Sequence, residues 1–474
     1  MSDHDPIADP VRFIDERTAA APLLRKTLRY IFPDHWSFLL GEVSLYAFLV
    51  LIATGTYLAL FYDPSTAKTV YHGSYTPLDG QLMSAAYKSV LDLSLVDKAG
   101  LLMRQTHHWA ADIFMVSIVM HLMRVFFTGA FRKPRELTWV VGLTLLFVAL
   151  LEGYLGYSLV DDLLSGIGLA IGYGVGLSIP VIGGPLILGL FGASFPGNSH
   201  FFSRMYIAHV FIIPALLATL IGVHLALIAA RHHTQFRESK RTTERRIVGA
   251  PMFPAQLPRS LALLFFVAGV LFLLGGLVQI NPIWQWGPFE PWQATNGAQP
   301  DWYLGWLIGA LRLMPSFDVT IGHFTLIPNP FWGGILFPTF VVGVLGVFPW
   351  IERRLTGDRN VHNIADRPHD APNRTAFGAA FLTWVFLIFV FGAADRLYVL
   401  FSLSYNTQLL IFRIGIWVIP AILFVVTRRW CRALQAADRI EDERERAEHA
   451  VRRRQSPSRE SPREVTGRAE DRLA

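Results

Sequence analysis

Cysteine is almost absent, with a single residue, Cys431, in 474. One thiol excludes a disulfide framework, a Cys-rich zinc site and an iron–sulfur cluster held by this chain alone. It also excludes covalent c-type haem, whose attachment motif needs two cysteines. Charge is scarce too. Charged residues make up 16% and hydrophobic residues 52%, whereas a soluble globular chain carries about 25% charged residues. That argues against dividing the chain into soluble domains of roughly 150 residues each. No period of 20–50 residues recurs, so a solenoid is excluded. The formal net charge of +6 would point to nucleic acid only if it were gathered on one soluble face.

The chain has instead eight apolar stretches, near 37–62, 106–128, 137–158, 205–230, 259–280, 331–351, 377–395 and 408–427. Each can cross a hydrocarbon core of about 30 Å, which takes roughly 20 helical residues. The expected fold is an all-α polytopic membrane protein with eight transmembrane helices. About 35 fairly polar residues precede the first stretch, unlike a signal peptide, which starts with a short basic region. Segment 163–195 is apolar but rich in Gly and Pro, and reads as short re-entrant or surface helices.

Basic residues set the orientation. With eight spans both termini share one side. That side carries 24 Lys and Arg in its loops and flanks, against 7 on the other. The bias places both termini in the cytoplasm. The +6 is therefore a topology signal, and no nucleic acid partner is expected. Residues 433–474 carry 10 basic and 10 acidic residues and read as a mobile charged helix followed by a disordered Ser/Pro/Arg end.

Ionisable side chains inside spans are costly and are functional candidates. His107, His108 and His121 lie in the second span, His209 and His224 in the fourth. His107 and His121 are 14 residues apart, about 3.9 turns, so they share one face roughly 21 Å apart along the axis. His209 and His224 are 15 apart, about 60° out of phase on an ideal helix. Pro214 lies between them and permits a kink or a local change of winding. The second and fourth spans run in the same direction. His107 and His209 then form one level near the outer face, and His121 and His224 a second nearer the cytoplasm. Two levels of paired imidazoles suit two stacked, non-covalent b haems with both axial positions filled. A lone histidine in a span is more often a hydrogen-bonded helix contact; two pairs at near-equal spacing favour ligands. His108 gives a 13-residue interval, about 60° off the face in the other direction, which favours His107.

Arg104, Arg124 and Arg204 stand close to these levels in sequence and are candidates to hold the haem carboxylates. Arg124 could simply mark the cytoplasmic end of its span. Gly41 and Gly55 in the first span, and Gly142 and Gly156 in the third, repeat the 14-residue interval. Glycine on an interior face lets a flat ring approach the backbone, although small-residue helix packing is the common alternative.

The motifs HHWAADIFMVSIVMH (107–121), RVFFTGAFRKPRELTW (124–139), HVFIIPALLATLIGVH (209–224) and QPDWYLGW (299–306) resemble the cytochrome b subunits of quinol–cytochrome c reductases. The resemblance covers roughly residues 25–432. HWSFLLGE (35–42), GYSLVDDLLSG (156–166) and LVQINPIW (277–284) are most similar to the actinobacterial branch, which implies menaquinol as substrate. The family's Pro-Glu-Trp-Tyr signature at the quinol-oxidising site stands here as Pro300, Asp301, Trp302 and Tyr303, with a carboxylate one methylene shorter. By resemblance Asp301 accepts a quinol proton, and a partly dry pocket could raise its pKa to suit that role. Pro and Asp also favour the first turn of a helix. Gly168 falls at the family's glycine near the quinol, and Val160 stands where the family often has proline. For the quinone-reducing site Ser37, Glu42, His232 and His233 lie at about the right depth, and the family's histidine five residues after the last ligand is replaced by Ala229. Glu42, Asp112 and Glu152 are further acids in spans, for which structural roles are at least as natural as proton conduction.

The resemblance implies a Q cycle. Quinol is oxidised on the outer side, and one electron passes by way of the two b haems to a quinone near the cytoplasmic face, contributing to the proton gradient. A Rieske iron–sulfur subunit and a c-type cytochrome subunit must be partners, since Cys431 alone can hold neither group. The family also implies a homodimeric complex, and its actinobacterial branch a cytochrome c oxidase supercomplex in the cell membrane lipid. The expected divisions are a cytoplasmic segment 1–35, a four-helix di-haem domain 36–230, a four-span domain 231–432 with the outer loop 281–330, and the tail 433–474. The rival readings are a di-haem membrane anchor of another quinone-linked dehydrogenase, and a transporter with chance His intervals.

Overall fold

The computed structural model describes residue 13 and residues 15–237, 242–293 and 300–455. The Ser/Pro/Arg end after 455 and Gln299 of the loop motif lie outside these residues. Eight of the described helices are long and apolar enough to cross a membrane: α1 Trp36–Ala59, α2 Gly100–Phe127, α3 Glu136–Ser158, α4 Phe201–Arg231, α5 Met252–Leu277, α6 Trp332–Thr356, α7 Pro372–Gly392 and α8 Tyr405–Gln455. The strands among the described residues are three short antiparallel pairs outside the spans. The fold is therefore an all-α polytopic one.

The helix ends differ from the hydropathy reading where polar side chains are buried. α2 starts at Gly100 because its first turns hide Arg104, Gln105 and Thr106 inside the bundle. α7 starts at Pro372, a residue suited to a first turn, and buries Arg374 there. α8 continues past residue 432 without a break. Opposite charges four apart, such as Arg439 with Glu443 and Asp442 with Arg446, favour that extension. The Gly-rich segment folds into two short helices, Leu163–Leu177 and Gly183–Phe191. Asp162 caps the first by accepting from the Ser165 amide at 2.7 Å.

The helix pairs α1–α2, α3–α4 and α7–α8 pack side by side, and α5 lies against α1 and α2. Small residues allow the close approach: Ala47, Ala110 and Ala149 are wholly or almost wholly buried at these seams. Phe48 and Phe114 meet at 5.8 Å between the two histidine levels, within a core that also contains Leu217, Leu271 and Tyr303. Lipid is as apolar as these side chains, so close van der Waals contact rather than escape from water favours the packing.

Within α4 the segment Ala208–Ile212 forms a π-helical turn, directly before Pro214. Such a turn takes in one residue more than an α turn. His209 lies in that turn. The extra residue of the 15-residue interval is absorbed there, which brings His209 and His224 toward one face.

The loop after α5 is tied back onto the bundle. Its helix Gly305–Leu313 lies against α7 so closely that a Cβ on Gly309 would be 1.8 Å from the Ile388 carbonyl oxygen.

Candidate functional site

The π turn on α4 and the regular α2 bring the His107 and His209 rings opposite each other across the bundle. Their centroids are 6.4 Å apart and the planes are at 81°. A metal–imidazole bond is about 2.0–2.1 Å, so an ion bound by both rings would set their centroids about 6 Å apart. The observed spacing fits bis-imidazole ligation. Behind the rings, Thr54 Oγ1 is 2.9 Å from His107 Nδ1 and Glu152 Oε1 is 2.9 Å from His209 Nδ1. The Thr54 contact engages Nδ1 of His107 and leaves its Nε2 for the seam, whereas the Glu152 contact is a close approach in which His209 Nδ1 makes no hydrogen bond.

The four glycines singled out from their spacing each face one of the four histidines. A Cβ built on Gly55 would lie 3.1 Å from Cε1 of His107, and one on Gly156 only 2.5 Å from Cε1 of His209. At the other level the corresponding distances are 3.4 Å from Gly41 to His121 and 3.3 Å from Gly142 to His224. At Gly156 the ring of the neighbouring helix occupies the space of a side chain, and at the other three it lies in contact with that space.

The arginines divide. Arg104 is buried, donates Nη1 to the Asn281 carbonyl at 3.1 Å and leaves Nε and Nη2 without partners among the described residues. Arg124 likewise hides an unpaired Nε and Nη2, with its guanidinium 4.0 Å above the Phe38 ring. Buried donors without acceptors are costly, and a carboxylate-bearing ligand in the seam would satisfy them. Arg204 behaves differently. It is exposed and donates to the carbonyls of Gly189 and Leu190 at 3.2 Å, at the end of a short helix. It does not join Arg104 in the cavity beside His107 and His209, because the helix end Gly183–Phe191 claims its donors.

That cavity is also lined by Asp301 and Tyr303. Asp301 stands at the N-terminal position of the turn Trp302–Leu304, yet its side chain makes no capping bond. Oδ1 is instead 2.9 Å from His108 Nε2, and Oδ2 accepts from the Tyr303 hydroxyl at 2.8 Å. Burial pushes this carboxyl up, but the His108 interaction and the Tyr303 hydrogen bond outweigh it and hold the group below its usual range. The raised pKa expected from a dry pocket is thus reversed by a partner on α2. Tyr303 is buried, and its hydroxyl is pushed well above its ordinary value by burial and by Asp301. Trp302 is partly exposed, with its ring 6.0 Å from that of Tyr303; Pro300 is half-buried just before Asp301. Gly168 lies one layer back, where its carbonyl accepts from Tyr154.

Of the residues considered for the opposite face, His232 and His233 meet at Tyr30, while Glu42 is engaged elsewhere. Glu42 accepts from Tyr46 at 3.1 Å and from Gln256 at 3.2 Å, which links α1 to α5. Ser37 bonds His35 at 2.8 Å. His232 stacks on Tyr30 at 5.3 Å. His233 bonds the Tyr30 hydroxyl and packs against Phe32 and Phe38. Its pKa is pushed down to about 3, by burial first and then by the nearby arginines.

Three contacts escape the sequence reading. The sequence offers His108 only as a rival ligand, although the adjacent His-His pair has two faces of one helix. Thr54 gives no signal, being one threonine in an apolar run. Glu152 carries a weak one: it is one turn from Gly156, on the face that meets α4.

Eight spans, paired interior histidines with glycines opposite them and a buried carboxylate beside one pair define a polytopic membrane protein of the b-cytochrome type. Residues 112–288 match the family model described as cytochrome b(N-terminal)/b6/petB. The chain is 45% identical over 425 residues to the cytochrome bc1 complex cytochrome b subunit of Streptomyces coelicolor, covering 90% of this chain and 77% of that one. It is 45% identical over 436 residues to that of Mycobacterium leprae, covering 92% and 78%. In fold it is similar to a chain of a hyperthermophilic respiratory complex III, with a TM-score of 0.63 at 21% identity over 87% of this chain and 99% of the other. The chain belongs to the cytochrome b subunits of cytochrome bc1 complexes.

Proposed function

We propose that this chain is the cytochrome b subunit of a respiratory menaquinol–cytochrome c oxidoreductase in a bacterial cell membrane, with both termini cytoplasmic and the Asp301 loop outside. The observation that carries the reading is the adjacency of His107 and His108: one ring faces His209 across the seam, and the next holds Asp301 at 2.9 Å. A group that takes an electron and a group that takes a proton therefore share one wall, as quinol oxidation requires.

His107 with His209, and His121 with His224, would each hold one b haem. Arg104 and Arg124 would take the haem carboxylates, and the four glycines leave room for the ligand rings. When bound, the haems supply one-electron transfer along the seam. Quinol gives up two electrons and two protons. Asp301, ionised and aligned by His108 and Tyr303, accepts one proton from the quinol hydroxyl and passes it outward. In a Q cycle the two electrons part, one to an iron–sulfur partner and one across the membrane to a second quinone. A Rieske subunit and a c-type cytochrome subunit supply the centres for which a single cysteine is insufficient, and the complex is a homodimer associated with a cytochrome c oxidase.

The test is a dithionite-reduced spectrum and a haem assay on the purified complex, followed by menaquinol-dependent reduction of a c-type cytochrome. Two b haems per chain and reductase activity are expected. Absence of a b-type band overturns the reading. Two b haems without reductase activity point to a membrane anchor instead.

A further inference from the structure

The turn that follows α3 places two neighbouring acids at one end of the bundle. Asp162 is wholly buried. Its Oδ1 caps the helix Leu163–Leu177, while Oδ2 has no partner among the described residues. Asparagine or serine caps a helix as well as aspartate does, so capping explains neither the charge nor the orphaned oxygen. Asp161 beside it has a positive φ of 57°, a conformation that glycine enters without steric cost. Its Oδ2 accepts from the Ser84 hydroxyl at 2.5 Å, and its carbonyl accepts from the Phe289 amide at 3.1 Å. The turn is thereby clasped between the segment before α2 and the Asp301 loop.

The turn reaches both ways. Inward, Tyr157 lines the cavity that holds Asp301 and Tyr303, and its hydroxyl is buried without a partner among the described residues. The charges of Asp162 and Asp301 both act on that hydroxyl. Trp286 likewise buries an unpaired indole N–H, next to Gly287, whose carbonyl accepts from the Leu163 amide at 3.0 Å. Buried polar groups of this kind are satisfied by internal water, which bridges two to four of them. Outward, Asp161 faces Lys68 and Glu290, which pair at 3.5 Å, and the lysine side chain is 48% exposed.

We propose that Asp161 and Asp162 form the proton outlet of the quinol-oxidising cavity: the proton taken up by Asp301 crosses by way of the Tyr157 hydroxyl and bound water to Asp162, then to Asp161, and leaves to the outer water beside Lys68 and Glu290. Each step moves one proton between oxygens and returns Asp301 to its carboxylate; no electron moves. The inference rests on the quinol-oxidising reading of the cavity. Proton affinity rises along the way. Asp301 is held below its usual range. Burial pushes Asp162 up to about 6, although the Ser165 bonds and Arg104 oppose it. Burial pushes Asp161 up to about 7 against Ser84 and Lys68. A proton therefore moves downhill outward and leaves from a group that exchanges with water near neutral pH. The other ionisable groups facing the pair are Tyr157 and Tyr87 at Asp162 and Tyr62 at Asp161, phenols that are neutral in that range.

The experiment measures menaquinol-dependent reduction of a c-type cytochrome by the intact complex, for wild type, Asp162→Asn, Asp161→Asn and the double variant. Asparagine at 162 keeps the helix cap and removes the acid. Absence of wild-type activity removes the quinol-oxidising reading whatever the two aspartates do. In the double variant kcat is expected to fall by about tenfold or more, with the KM for menaquinol and both b bands unchanged. The solvent deuterium isotope effect on kcat is expected to rise, and formate, a small diffusible proton carrier, to restore part of the rate. Asp162→Glu, which keeps the acid, is expected to retain more of the rate than Asp162→Asn. Wild-type kcat in the double variant overturns the proposal. A lower rate with an unchanged isotope effect and no response to formate also overturns it, because the turn then only maintains the shape of the cavity. Where the double variant fails to assemble, Asp161→Asn decides by the same criteria, since its side-chain oxygen still accepts from Ser84.

Discussion

His108 Nε2 and Asp301 Oδ1, 193 residues apart in the chain, lie 2.9 Å from each other. The contact closes the Asp301 loop onto α2 one residue from His107. With Tyr303 on its second oxygen, the carboxylate has both acceptor positions directed into the bundle. Asp301→Asn replaces one acceptor by an NH₂ donor and removes the base. A positioned general base contributes about 10²–10⁴ in rate, so menaquinol oxidation should fall at least 10²-fold with both b bands intact. Wild-type turnover in this variant would take Asp301 out of the proton path.

The same pair gives a pH dependence. Asp301 is held low because the His108 interaction and the Tyr303 hydrogen bond outweigh burial. The ionisable groups facing it are His108, Tyr303, Asp112 and Tyr157. His108→Leu leaves burial as the main influence, which raises a carboxyl. The acid limb of the rate profile should therefore move to higher pH, with activity lost at a pH where wild type still works. An unmoved limb in a variant that keeps both haems would show that another group sets it.

His107 and His209 share one level by direct ring geometry; His121 and His224 are assigned to the second by their intervals and by the glycines opposite them. His107→Ala or His209→Ala should remove one b haem, and His121→Ala or His224→Ala the other, read as two distinct band losses in reduced-minus-oxidised spectra. Retention of both haems in any of the four variants would refute the pairing.

The glycines give a graded series. The space beside Gly156 is the tightest, at 2.5 Å to the His209 ring; Gly55 follows at 3.1 Å, and Gly142 and Gly41 at 3.3 and 3.4 Å. Alanine at 156 must displace the ring, so haem at that level should be lost or strongly weakened. Alanine at 41 or 142 asks for only a few tenths of an ångström and should leave haem content near normal. Gly174, with nothing within 4 Å, serves as the control. Equal haem content across the series would show that the glycines do not set the ring positions.

The legible features were those with a period. The 14-residue interval of His107 and His121, and the matching glycine intervals, are properties of one helix. The eight spans follow from apolar length. The 15-residue interval of His209 and His224 pointed to altered winding near Pro214, but the π turn that provides it is a tertiary choice. Features made by two distant segments leave little sequence trace. Glu152 behind His209 and His108 on Asp301 depend on how α3, α4 and the outer loop meet α2. Arg204 illustrates the converse: sequence proximity to a histidine said nothing about the helix end that engages its guanidinium. The early starts of α2 and α7 are hidden because hydropathy treats a buried arginine as if it faced water.

Arg374 provides the last test. It is 2% exposed as a side chain, with Nη1 3.0 Å from Glu352 and Nη2 2.6 Å from Asp366, whose other oxygen is 2.8 Å from Arg132. The cluster joins the end of α6, the start of α7 and the turn after α2. A planar guanidinium can bridge two carboxylates, and the point charge of lysine cannot do so in the same geometry. Arg374→Met leaves half-buried Glu352 without its cation and Asp366 with Arg132 alone; breaking a fully buried pair costs about 3–5 kcal/mol, and the loss here should be smaller. The melting temperature of the purified complex should drop markedly, while the b bands of the folded protein stay unchanged, because no histidine level touches the cluster. Arg374→Lys should fall between the two. Neutralising Glu352 as well, as Arg374→Met with Glu352→Gln, should recover part of the loss, since Asp366 keeps Arg132 and no unpaired acid is then left. A single Arg374→Met variant that melts with wild type would mean that water, rather than the arginine, solvates these carboxylates.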